Sequence, residues 1–241
     1  MNPFRYENGV LHADGVSLAE LATEIGTPFY CYSESAISAQ YRAYVDAFAD
    51  QDAVICYAMK ANDNLAILRT FAELCAGADV VSGGELQRAL AAGIPPSKII
   101  FSGVGKTEDE LALALSTRIM QINVESLAEM EALSRAAVAK GVTAEIAIRI
   151  NPNVDAKTHD KISTGRKQDK FGIDIELAAD AYRKVAELPG LDAAAVAVHI
   201  GSQLTSLDPF RAAFTRVAEL VGELRAAGHN IRRVDLGGGL G

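Results

Sequence analysis

Seven short apolar runs recur along the chain, at 53–58 (AVICYA), 78–82 (ADVVS), 98–103 (KIIFSG), 118–123 (RIMQIN), 144–151 (AEIAIRIN), 194–200 (AAVAVHI) and 232–237 (RRVDLG). Each is rich in Val, Ile and Ala and apolar nearly throughout, the pattern of a strand covered on both faces of a parallel sheet. Stretches with helical spacing lie between them. Two open on capping boxes, Thr107-x-x-Glu110 and Ser126-x-x-Glu129, and a third on Asp208-Pro209, read as an N-cap acceptor followed by proline at the first helical position. Strand–helix alternation with short joins means an α/β fold with a parallel sheet, and seven such units in series favour a TIM (β/α)8-type barrel over an open doubly wound sheet. A closed barrel of this type needs eight strands. The seventh run stops just short of Gly241, so the expectation is an incomplete barrel of about seven of the eight strands, in a truncated chain.

Two regions break the rhythm. Residues 1–30 are mixed in character, with turn signals at Asn8-Gly9 and Asp14-Gly15 and a short helical stretch at 17–25. Residues 152–172 (PNVDAKTHDKISTGRKQDKFG) form a long polar connection after the fifth run. In a barrel it would leave the C-terminal end of its strand, the end at which active sites sit, and long loops in compact domains are often functional.

Composition narrows the function classes. The chain has 241 residues, 49% hydrophobic and 22% charged, enough for a sizeable core. With 23 Lys plus Arg against 31 Asp plus Glu, the net charge is −8, and no basic run is present, which argues against a nucleic-acid or anionic-membrane partner. An anionic small molecule stays open, because one local site can bind phosphate whatever the global charge. Cys31, Cys56 and Cys75 are odd in number, lie in apolar segments and form no CxxC pair, so neither a disulfide framework nor a thiolate metal site is expected. No signal-like core or membrane-length apolar run is present, and a cytoplasmic location is expected.

The candidate chemistry collects at strand ends. Lys60 directly follows VICYAM (54–59), the first apolar run with Met59, and precedes Ala61-Asn62, where the next helix is expected to begin; an apolar backing can lower an amine's pKa and free it as a nucleophile, although a lone loop lysine is more often merely solvated. Asp235-Leu-Gly-Gly-Gly-Leu-Gly241 ends the last run; consecutive glycines leave N–H groups unshielded for an anion, and a phosphate fits better than a plain turn or a dinucleotide fingerprint. His199-Ile-Gly-Ser202-Gln closes the sixth run, with an imidazole suited to stacking on a planar ring and a hydroxyl for a phosphate oxygen, the competing reading being a satisfied core histidine. Asp79 sits on the apolar second run, ahead of Ser82-Gly83-Gly84-Glu85, and needs a partner; Arg149 sits within the fifth, where an ion pair with Asp79 or an anion contact would satisfy it. A lysine, aspartate, arginine, histidine and glycine nest on one barrel rim is the combination pyridoxal phosphate requires.

On these stretches the chain resembles the N-terminal portion of the diaminopimelate decarboxylases, in the alanine-racemase-like (fold type III) class of pyridoxal-phosphate enzymes. The resemblance rests on YAMKAN, GADVVSGGEL, IIFSGVGKTEDEL, NVES, IRINP, THDKISTGRKQDKFGI, HIGSQ and DLGGGLG, running from near the start to Gly241. It implies that Lys60 holds the cofactor covalently, that His199 lies at the ring face, that Ser202 and Gly237, Gly238 and Gly239 meet the phosphate, and that Asp79 stands near lysine and cofactor. It implies decarboxylation of meso-2,6-diaminopimelate to L-lysine and carbon dioxide, a homodimer in the full-length form, and two domains. Residues 1–30 would then begin a β domain and residues 31–241 form the cofactor-binding barrel. LCAG at 74–77 departs from the family pattern, where a glycine–serine pair is expected. The family's Glu-Pro-Gly-Arg and Cys-Glu-Ser-type stretches do not occur in this sequence, and none of Cys31, Cys56 and Cys75 matches the family's cysteine. Two alternatives stand beside this: a related ornithine, arginine or carboxynorspermidine decarboxylase, and a non-catalytic truncated fragment that binds pyridoxal phosphate.

Overall fold

The protein is described by a computed structural model at residues 2–154 and 171–241. Three short strands, β1 (Phe4–Glu7), β2 (Val10–Ala13) and β3 (Val16–Ser17), form an antiparallel sheet. Both hairpin turns are the ones expected from Asn8-Gly9 and Asp14-Gly15, and all four residues take positive φ, as a two-residue type I′ connection requires. Ser17 then caps α1 (Leu18–Ile25), and Ser33 caps α2 (Glu34–Ala47). Asp14 ties the small sheet to α2 by accepting the Ser33 hydroxyl at 2.8 Å and the Ser35 hydroxyl.

The remainder alternates strand and helix: β4 (Cys56–Ala58), α3 (Leu65–Glu73), β5 (Gly77–Val80), α4 (Gly83–Ala91), β6 (Ile99–Phe101), α5 (Glu108–Thr117), β7 (Gln121–Val124), α6 (Leu127–Lys140), β8 (Ala144–Asn151), β9 (Ile173–Asp174), α7 (Ala178–Ala186), β10 (Leu191–Val198), α8 (Asp208–Ala226) and β11 (Arg233–Asp235). Strands β4 to β8, β10 and β11 are hydrogen-bonded in sequence order and all parallel, as the seven apolar runs predicted; β9 pairs only with β8. Each consecutive pair is joined by a helix, and the sheet curls. Asn123 on β7 hydrogen-bonds Asp235 on β11 at 2.7 Å although β8 and β10 lie between them in the sheet. This is the curvature of a TIM-type barrel, with β4 and β11 at its two edges among the described residues.

Strand alternation divides the sheet into two unlike faces. One set, including Val80, Phe101, Ile122, Val124, Ile148 and Val196, points outward and packs with Leu86, Leu111, Met130, Leu133, Tyr182 and Leu220 of the helices in one continuous core. The alternate set points inward and is small or polar: Asp79, Ser102, Gln121, Asn123, Arg149 and Asp235, around a separate cluster of Ala147, Ala195 and Ala197. The expectation that these strands are apolar on both faces is therefore corrected. The helices cover only the outer face, and the concave face must leave room and hydrogen bonds for what enters it.

Helix starts follow side-chain chemistry, with two differences from expectation. Thr107 and Glu110 make the full reciprocal capping box. Ser126 caps α6 by accepting the Glu129 N–H at 3.2 Å, but the Glu129 carboxylate turns instead to the Glu125 N–H (2.8 Å) and to Lys106 (2.7 Å). A full charge in reach is a better partner than the N-cap amide. Asp208 is the first residue of α8 and not its cap, with Pro209 second, and its carboxylate favours the helix N-terminus through the dipole. The long connection expected at 152–172 lies largely outside the described residues, at 155–170.

Candidate functional site

The site occupies the C-terminal ends of the strands. Lys60 lies in a single 3-10 turn, Met59–Ala61, one residue past β4. Met59 is fully buried and anchors the turn, the Tyr57 hydroxyl donates to the Asn62 carbonyl at 3.1 Å, and the Tyr57 ring stacks on Phe71 at 4.0 Å. Lys60 itself is exposed. The helix expected at Ala61-Asn62 begins only at Leu65, because Asn62 accepts the Asn64 N–H (3.0 Å) and Asn64 then caps α3 through the Ala66 N–H (2.9 Å). The lysine thus sits on a short tether between buried Met59 and a capped helix.

Asp79 stands on the neighbouring strand, in register with Ala58 on β4 and Ile100 on β6. Its Oδ1 accepts the Ser102 hydroxyl at 2.5 Å. Desolvation inside the curled sheet pushes its carboxyl up to about 6; the Ser102 hydrogen bond opposes this, the Asp235 charge adds to it, and the Lys60 charge opposes it. Arg149 does not pair with Asp79. Its Nη1 donates to both Glu125 oxygens, at 2.9 and 3.1 Å. Register explains this: Val124 pairs with Ile148, so Glu125 and Arg149 are adjacent across β7 and β8, whereas β5 is three strands from β8.

The opposite wall is made by β10 and β11. His199 follows β10 directly, and its Nδ1 accepts the Gly238 N–H at 3.3 Å, which fixes the tautomer with the proton on Nε2. Burial, with Arg149 and Lys60 nearby, holds its pKa down at about 4, so the ring is neutral. The glycine run lies against the chain after β10. A Cβ at Gly237 would collide with the Val198 carbonyl oxygen and one at Gly239 with the Gly201 carbonyl oxygen, and both residues take positive φ. Only glycine satisfies both demands. A Cβ at Gly238 meets nothing within 4 Å. Leu204 N–H donates to the Gly239 carbonyl at 2.9 Å, which keeps half-buried Ser202 beside the glycine run.

Four further residues join these walls, and of these only Asp235, at the head of the glycine run, falls in a stretch that the sequence singles out for its chemistry. Asn123 is the hub: its Nδ2 donates to Ser102 Oγ (3.0 Å) and to Asp235 Oδ2 (2.7 Å), while its Oδ1 accepts from Gln121 Nε2 (2.8 Å). Asp235 Oδ1 accepts the Gly237 N–H at 2.9 Å. Lys106, with a side chain only 1% exposed, donates to the carbonyls of Gly103 (2.7 Å) and Asn123 (2.6 Å) and pairs with Glu129. A signal for the first three was present: single polar residues recurring at alternate positions within apolar runs. Cys56, by contrast, is pushed up to about 12 by burial, the wrong direction for a reactive thiol.

The model of the family described as "Pyridoxal-dependent decarboxylase, pyridoxal binding domain" matches residues 34–241. The diaminopimelate decarboxylase of Pseudomonas aeruginosa is 51% identical over 241 residues, covering 100% of this chain and 58% of that protein. The chain therefore spans under two thirds of that relative's length. Among solved structures, the diaminopimelate decarboxylase of M. jannaschii in co-complex with L-lysine matches with a TM-score of 0.94 at 42% identity, covering 100% of this chain and 57% of that one. The Helicobacter pylori enzyme complexed with L-lysine matches with a TM-score of 0.91 at 45% identity, covering 93% and 57%.

Proposed function

The chain belongs to the pyridoxal-dependent decarboxylases, and from that premise we propose that it forms the cofactor-binding barrel of an enzyme converting meso-2,6-diaminopimelate to L-lysine and carbon dioxide. The observation that carries this reading is the convergence of Lys60, Asp79, His199, Ser202 and the glycine run on one end of one curled sheet. The substrate rests on the sequence motifs HIGSQ and TH-x-KISTG-x4-KFG and on the related decarboxylases. In this reading residues 1–30 begin a second, β-rich domain, the whole protein acts in the cytoplasm as a homodimer, and residues 31–241 hold the cofactor.

The residues present fit pyridoxal phosphate. Lys60 offers an exposed amine on a fixed tether, and His199 offers a neutral ring whose face carries no charge to be desolvated under a planar ligand. The Gly237 N–H is committed to Asp235 and the Gly238 N–H to His199, which shapes the turn, and Gly237, Gly238 and Gly239, with no side chains to shield the backbone, and the Ser202 hydroxyl would meet the phosphate. When bound, pyridoxal phosphate supplies a conjugated ring that takes up the electron pair left as carbon dioxide departs. Lys60 is the residue that would hold the cofactor covalently. Asp79, with a carboxyl raised to about 6, takes up a proton more readily than an ordinary carboxylate. No helix among the described residues is long and apolar enough to cross a membrane.

The test uses the whole protein with added pyridoxal phosphate and follows carbon dioxide release from meso-diaminopimelate, ornithine and arginine in parallel. Release from meso-diaminopimelate alone, lost in Lys60→Ala, is the expected result. Release from ornithine or arginine in its place would overturn the substrate, and cofactor binding without release from any of the three would overturn the activity.

A further inference from the structure

The inward-facing polar residues form a continuous hydrogen-bonded path across the mouth of the sheet. It runs from Asp79 on β5 through Ser102 at the end of β6 and Asn123 on β7 to Asp235 on β11, and from Asp235 to the Gly237 backbone (2.5, 3.0, 2.7 and 2.9 Å in turn). We infer that Asn123, with Ser102 and Asp235, is a positioning relay that couples the glycine run to Asp79, so that the phosphate end and the lysine end of the site respond together. This rests on the cofactor reading above.

Three features separate a relay from incidental contacts. First, the path has directional logic at its centre. Asn123 uses both amide hydrogens and its carbonyl oxygen, and each end of the path is a carboxylate that can only accept when ionised. Turning the Asn123 amide over would present its oxygen to Asp235, so one arrangement is selected. Second, space is reserved for it. Asn123 pairs with Ala147 and Ala147 with Ala195, while Asp235 pairs with Ala197, whose β8 neighbour Arg149 turns to Glu125, so the small cluster of Ala147, Ala195 and Ala197 lies between β7 and β11. Any larger side chain there would fill the gap the hydrogen bond crosses. Third, the hub is fixed from behind, since the Asn123 carbonyl accepts the buried Lys106 ammonium at 2.6 Å. A residue held by both its main chain and all its side-chain polar atoms moves only if its partners move.

Two measurements on the whole protein test this. The first is made without cofactor: amide hydrogen exchange of the 235–241 segment in the parent and in Ser102→Ala. Among the described residues, the hydrogen-bonded path from Ser102 to that segment runs through Asn123, and the relay predicts several-fold faster exchange at Gly237 in the variant. Unchanged exchange overturns it. The second is affinity for 4′-deoxypyridoxine phosphate, which has ring and phosphate but no aldehyde for Lys60. Ser102→Ala and Asp235→Asn are each expected to weaken binding about 3–10-fold, and the double variant no more than the worse single, because cutting one path twice removes one coupling. A double effect equal to the product of the singles overturns the relay. If Asp235→Asn fails to fold, the exchange result decides alone. Because exchange is read without cofactor, a parent protein that binds no pyridoxal phosphate would sink the cofactor reading and leave the relay to its own test.

Discussion

On the outer face of the parallel sheet, Val80, Phe101, Ile122, Ile148 and Val196 are buried at 0–3% exposure against the helices; on the inner face, one residue away along the same strands, stand Asp79, Ser102, Asn123, Arg149 and Ala197. The outer face is non-directional, since each side chain contributes in proportion to the area it hides, about 1.5–3 kcal/mol apiece. The inner face contributes little to that sum. Its groups are paired by direction, and its value lies in holding a lysine, a histidine and a glycine turn at fixed places. Stability and function are thus assigned to opposite faces of one element, by the period of two alone.

Perturbations of the two faces should differ in kind. The largest effect is expected from Phe101→Ala on the outer face, a loss of about 3–5 kcal/mol read by chemical denaturation. It should lower the unfolding midpoint while leaving cofactor affinity per folded molecule nearly unchanged. Lys106→Met comes next. It leaves the Glu129 carboxylate, 10% exposed, without its cation and should cost about 3 kcal/mol, with a second symptom in weakened cofactor binding because the Asn123 backbone loses its anchor. Ala195→Leu should cost about 1–3 kcal/mol by overpacking, and should weaken ligand binding more than Phe101→Ala despite the smaller stability loss. Equal ligand effects from Phe101→Ala and Ala195→Leu would erase the contrast between the faces.

The smallest effect in the parent is a cancellation. Asp79 has a folded pKa raised from 3.8 to about 6, so the folded state keeps a proton the unfolded chain loses, and stability from this group falls as pH rises across that window. His199 has a folded pKa lowered from 6.5 to about 4, so the unfolded chain binds the extra proton, and stability from this group rises as pH rises from about 4 to 6.5. In cofactor-free protein the two nearly offset. Asp79→Asn should expose acid lability between pH 4 and 6.5, and His199→Gln should expose the opposite slope; thermal melts across that range would show it. Parallel slopes in the two variants would contradict the assignment.

Much of this was legible in the sequence, and the illegible part has one cause. Outward residues such as Ile122 and Ile148 make their strands conspicuous, and Asn8-Gly9 and Asp14-Gly15 announce their turns by needing positive φ. Lys60, His199 and the glycine run were visible because each ends a strand. Ser102, Asn123 and Gln121 were not, because one polar residue in an apolar run carries no address for its partner. The alternatives left open for Arg149 did not include Glu125 for the same reason: Glu125 becomes its neighbour only through the register of β7 and β8. The start of α3 slipped from Ala61-Asn62 to Leu65 because two asparagines hold the backbone in turns first.

The central claim is that Lys60 holds the cofactor while the inner face of the sheet holds everything around it. The most direct measurement is borohydride reduction of the whole protein with pyridoxal phosphate, followed by peptide mapping. The account predicts a single stable label, on Lys60, that disappears in Lys60→Ala without loss of fold. A label on another lysine, or none on correctly folded protein, would contradict it.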